Sequence, residues 1–86
     1  NKLLIGENVP ECLQGDLKYE REIQRPLLVE TIALCEELQD YVSRDLLEEL
    51  LEHCEEAIDW LETQQSLIEH VSLPNYLQAH MEVAGD

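Results

Sequence analysis

Residues 41–70 run for thirty positions without a Gly or a Pro. Their apolar side chains recur at a helical period: Leu46, Leu47, Leu50, Leu51, Cys54, Ala57, Ile58 and Leu61, then Leu67 and Ile68. Asp45, Glu48, Glu49, Glu52, Glu55, Glu56, Asp59 and Glu62 repeat at the same period on the other side. This predicts an amphipathic helix of about 45 Å, at roughly 1.5 Å per residue. Its apolar stripe must be covered by another element.

The segment upstream supplies one. Asn8 or Val9 caps a helix with Pro10 in its first turn, where a missing N–H costs nothing. That helix is expected over residues 10–38, with a stripe of Leu13, Leu17, Leu27, Leu34, Cys35 and Leu38, and with Ile23 and Leu28 beside it. Gly15 and Pro26 are its irregularities, and Pro26 should kink or locally break it near Glu22. Gln39–Val42 reads as the turn, with Asp40 and Ser43 as competing N-caps. After residue 70, Ser72-Leu73-Pro74 is a helix stop and a fresh start, giving a short helix over 74–81. Residues 1–9 read as a linker, and neither an internal repeat nor a strand pattern is visible. The expected fold is all-α and a single domain over 1–86: an antiparallel helix hairpin plus a short C-terminal helix. It is half of a four-helix bundle, and must dimerise or dock on another helix pair to cover its apolar face.

Charge narrows the partners. The formal net charge is −15, and residues 45–86 hold eleven acids with no Lys or Arg. Such a field repels nucleic acid and anionic lipid and attracts cations or basic partners, while a solvated acidic face is the plain structural alternative. Cys12, Cys35 and Cys54 are odd in number and form no C-x-x-C pair, which argues for a reducing compartment and a cytoplasmic location. No signal peptide or membrane span is visible. The chain begins at Asn1 rather than Met, which reads as a fragment or processed product.

Glu20 is the first residue with a chemical claim. It stands on the inward stripe of the first helix, where a carboxylate is costly unless paired, protonated or bound to metal. In di-iron bundles two helices each give a lone Glu and the other two each give Glu-x-x-His, so that carboxylate and imidazole reach one ion. No Glu-x-x-His occurs in this sequence. His53, with Glu49 and Glu56, follows the outer acidic stripe and reads as solvated helix face rather than a weak surface metal site. His70 and His80 carry no pattern, and Cys54 reads as core, with no cationic neighbour in sequence to lower its pKa.

The runs Asp40-Tyr41-Val42-Ser43-Arg44-Asp45, Ile58-Asp59-Trp60-Leu61-Glu62-Thr63 and Asn75-Tyr76-Leu77-Gln78-Ala79 resemble the C-terminal half of a bacterioferritin. So do Leu4-Ile5-Gly6-Glu7 and Asp16-Leu17-Lys18-Tyr19-Glu20 upstream. The resemblance covers nearly the whole chain in order. It implies that the helices are the third, fourth and short fifth of a ferritin-like bundle whose first two are absent here. Residues 20–40 look one position longer than the family pattern, near Pro26.

The resemblance further implies iron as the cargo and haem as a cofactor between paired subunits, in a homo- or hetero-oligomeric shell. Glu20 matches the family's lone metal-ligating Glu. Cys54 and Ala57 stand where its Glu-x-x-His pair should fall. The haem Met belongs to the absent half, so Met81 does not replace it. The chain therefore reads as an iron-storage subunit with an impaired ferroxidase site, inactive on its own. Two rivals stay open: an altered site with Glu20, Cys54 and Glu55 or Glu56 around one metal, and a helical interaction module without iron chemistry.

Overall fold

The computed structural model describes residues 8–85, with side chains through residue 80. The motif at residues 4–7 and most of the expected linker over 1–9 lie outside the described residues. The first long helix has three parts. An α-helix, α1 (Val9–Tyr19), passes into a π-helical turn (Glu20–Gln24), and α2 (Arg25–Glu37) continues it. Helix α3 (Tyr41–Val71) returns antiparallel, and α4 (Leu73–Gly85) folds back against it. The all-α hairpin expected from the sequence is the observed fold, and no strand occurs among the described residues. No described helix is long and apolar enough to cross a membrane.

The hairpin buries one continuous seam. Leu13 and Leu17 of α1 pack with Leu61 of α3, and Val9, Ile58 and Ile68 close around them. Leu28 and Cys35 of α2 and Cys54 of α3 extend the buried line toward the turn. Leu27, Leu34 and Leu38, expected in that line, are instead 57%, 51% and 68% exposed. The π turn is the cause. It adds a residue without adding a turn, so the inward row steps from Leu27 and Leu34 to Leu28 and Cys35. The break expected from Pro26 takes this form: the Arg25 N–H reaches back five residues to the Glu20 carbonyl, one turn upstream of the proline.

Two junctions fix the return. At the end of α2, the Gln39 N–H donates to the Glu36 carbonyl at 3.1 Å and the Asp40 N–H to the Cys35 carbonyl at 2.8 Å. This is a Schellman closure, with Gln39 at φ 59 in the position glycine usually takes. Asp40 then caps α3, its Oδ1 accepting from the Ser43 N–H at 3.1 Å. That bond holds the Asp40 carboxyl below its ordinary range. The cap's contribution is therefore present above the unfolded pKa and fades as pH falls through the lowered one. At the other end Ser72 turns the chain at φ 72, ψ 154, and its carbonyl accepts the Tyr76 N–H. The last helix runs Leu73–Gly85, beyond the 74–81 expected. It is held by packing rather than by its own propensity: the buried Tyr76 hydroxyl donates to Oε1 of the buried Gln64 at 2.7 Å.

The two sides of the hairpin differ in kind. One is charged, with Arg21 bridging to Glu62 and Arg25 to Glu55 across the helices. Spacing places Leu27, Leu34 and Leu38 on the side of α2 away from Arg25. It places Leu46, Trp60, Leu67 and Val71 on the side of α3 away from Glu55 and Glu62. All seven are exposed.

Gln39→Gly should raise stability by roughly 0.5–1 kcal/mol, because glycine adopts the left-handed C′ conformation without the Cβ penalty. A higher urea midpoint at unchanged m-value checks it; an unchanged or lower midpoint contradicts it.

Candidate metal centre

Glu20 is the first residue of the π turn and is half-buried in the seam. Directly across it on α3 stands Cys54, buried, its Sγ 3.0 Å from Glu20 Oε2 and 3.8 Å from the Glu20 carbonyl. One turn further along α3, Ala57 joins Glu20 in lining a pocket of about 400 Å³, with Asp16, Tyr19, Trp60 and Leu61. The three positions singled out by the sequence, Glu20, Cys54 and Ala57, are thus brought together. They open toward the side that carries Trp60, away from the inter-helix ion pairs.

Electrostatics decide what Cys54 does there. Burial pushes its thiol up first, and the Glu20 carboxylate adds to this by accepting the S–H and by its charge; Glu55 adds a little and Arg25 opposes. The result is a pKa of about 11. At neutral pH the group is therefore a protonated donor that satisfies Glu20.

The other candidates lie apart. His53 is on the outer face, 3.8 Å from Glu56, with both side chains at least 70% exposed. His70 Nδ1 is 2.7 Å from the Ser66 carbonyl, and His80 Nδ1 is 2.9 Å from the Tyr76 carbonyl, with its ring stacked on Tyr76. Glu55 turns to Arg25. Among the described residues, no three His, Cys, Asp or Glu converge into a set that could hold a metal ion. The arrangement of Glu20, Cys54 and Glu55 or Glu56 around one ion is not formed. The residues present do not fit a di-iron centre: Glu20 is faced by a neutral thiol and a methyl group, and Asp16 is the only other carboxylate lining the pocket.

Sequence reasoning missed the pocket's other walls and the arginine pairs. Asp16 and Tyr19 were legible in principle, lying four and one residues before Glu20 on the same helix. Arg21 and Arg25 were not, because their partners on α3 are 41 and 30 residues away.

A family model described as a ferritin-like domain matches residues 1–71. A bacterial ferritin of Synechocystis sp. is 51% identical over 78 residues, covering 90% of this chain and 49% of the relative. A bacterial ferritin of Pseudomonas aeruginosa is 48% identical, covering 88% of the chain and 49% of its own length. A bacterioferritin of Brucella melitensis biotype 1 is 40% identical, with 98% and 52% covered. The chain spans about half the length of the curated relatives it matches.

Glu20→Gln should bring the Cys54 pKa down from about 11 part of the way to its ordinary 9.0, leaving the share that burial imposes. The thiol favours folding fully below the unfolded pKa, and that contribution is lost as pH rises through the folded one. The variant should therefore lose stability less steeply between about pH 9 and pH 11. Thiolate absorbance and denaturation midpoints over that range check it; identical titrations in both proteins would exclude the Glu20–Cys54 coupling.

Proposed function

This chain belongs to the ferritin-like domain family, and on that premise we propose that it is the site-bearing C-terminal half of a bacterioferritin-type iron-storage subunit with an impaired di-iron ferroxidase site. The observation that carries the reading is the facing of Glu20 by Cys54 and Ala57. Di-iron bundles place carboxylate and imidazole donors around the lone Glu, and a protonated thiol and a methyl supply neither. Ferrous iron is hard to borderline and takes carboxylate and imidazole readily. Loss of two such donors removes the means of holding two ions side by side.

The remaining parts of the reading rest on the family. The apolar side carrying Leu27, Leu34, Leu46 and Trp60 is covered by a second helix pair, which completes the bundle. Such subunits assemble into a homo- or hetero-oligomeric shell, and the chain's contribution is structural: it builds the bundle and lines part of the iron store. The exposed acids Glu48, Glu49, Glu52 and Asp59 favour cations over polyanions. Haem would be held by the other half, since the family's ligand is a second-helix methionine. A cytoplasmic location goes with this function.

In the assembled protein, Cys54→Glu with Ala57→His should restore rapid ferrous oxidation, read as the rise in ferric absorbance after anaerobic loading and admission of oxygen. A gain of about 10²-fold or more is the scale expected when a two-metal site regains its ligands. Fast oxidation by the unaltered protein, or none by the double variant with iron bound, would sink the proposal.

A further inference from the structure

We propose that Pro26 holds the π turn in place and thereby selects which of two overlapping leucine stripes faces α3.

The alternatives differ by one residue. An uninterrupted heptad continued from Leu13, Leu17, Glu20 and Gln24 turns Leu27, Thr31, Leu34 and Leu38 inward. The π turn adds one residue, so the inward positions become Leu28, Ile32 and Cys35. Leu28 and Cys35 are buried at 7% and 8%, whereas Leu27, Leu34 and Leu38 point outward. Both rows are apolar, and the row turned outward carries three leucines against Leu28, Ile32 and Cys35 inside. Apolar content alone does not favour the register observed.

Pro26 supplies the missing preference. In a straight α-helix its ring would meet the Glu22 carbonyl, and no N–H would be present to bond to it. The π turn ends two residues before the proline, with the Arg25 N–H bonded to the Glu20 carbonyl. The backbone thus widens where the ring would clash. Everything upstream is indifferent to the choice. Leu13, Leu17 and the Glu20–Cys54 contact precede or begin the turn, so the candidate metal centre keeps its geometry in either register. What changes is the outer surface. The observed register reserves Leu27, Leu34 and Leu38 for a helix pair docking on that side.

The three thiols report the register. Cys12 is exposed, and Cys35 and Cys54 are buried, so only Cys12 should react quickly with an aromatic disulfide reagent under native conditions. In Pro26→Ala, a straight helix turns Cys35 outward while Cys54 stays covered, and the fast-reacting thiols rise from one to two. Combining Pro26→Ala with deletion of Gln24 removes the extra residue, restores Leu28 and Cys35 to the inward heptad, and returns the number to one. If the single variant instead loses its fold and exposes all three thiols, rescue by the deletion still supports the proposal. A single variant with only Cys12 reactive overturns it, as does a double variant with Cys35 or Cys54 reactive.

Discussion

Everything in this molecule depends on one narrow seam between two antiparallel helices. A pair of helices can bury only the residues that face each other, and here those are Leu13, Leu17, Leu28 and Cys35 on the first long helix and Cys54 and Leu61 on α3, with Ile58 partly buried. No side chain outside this line and the Gln64–Tyr76 contact is buried among the described residues. Burial of a leucine contributes roughly 1.5–3 kcal/mol, so a seam of this size leaves little margin. The ion pairs of Arg21 and Arg25 lie on the surface, each partner about half exposed. Pairs of that kind add about 0–1 kcal/mol each; they orient the helices more than they hold them together.

The candidate centre is a consequence of the seam. Glu20 occupies an inward position of the first helix, so its carboxylate must find a donor. Cys54 is the facing inward residue of α3 and provides it. The same low-dielectric setting that makes the carboxylate costly raises the thiol's pKa. The two groups therefore settle as acceptor and neutral donor. Ala57, one turn on, leaves room rather than a ligand, and the resulting pocket opens on the apolar side of the hairpin.

Much of this was legible in the sequence. The stripe of residues 41–70 predicted α3 almost to its ends, Asp40 was one of two competing caps and is the one used, and the inward position of Glu20 followed from its spacing to Leu17. The ferritin-like resemblance rested on short runs such as Ile58-Asp59-Trp60, and the family match agrees with it. What spacing could not show was the phase of α2. Leu27 and Leu28, like Leu34 and Cys35, are adjacent apolar pairs, and a heptad count cannot tell which member of each pair faces in. Only a backbone bond of unusual span, Arg25 to Glu20, decides it. The length of α4 was also hidden: the helix runs to Gly85 rather than stopping at residue 81.

The Glu20–Cys54 contact shows how a carboxylate at an inward position is satisfied by a neutral donor, and on the proposed reading it is what would let the fold survive without its metal centre. A buried carboxylate stripped of its cation is a liability of several kcal/mol, which would select for its removal or its compensation. Replacing the facing ligand with alanine would leave Glu20 orphaned. Replacing it with a residue that donates a single proton converts a charged cluster into one hydrogen bond between a thiol and a carboxylate. Cysteine suits the position because it is small, behaves as an apolar residue in the seam, and still carries an S–H. On the proposed reading the Ala57 position faces no such demand, since a neutral ring removed would leave no charge behind. On the proposed reading, Cys54 and Ala57 would be different answers to different costs: one satisfies the carboxylate that remains by a hydrogen bond, and the other leaves open space.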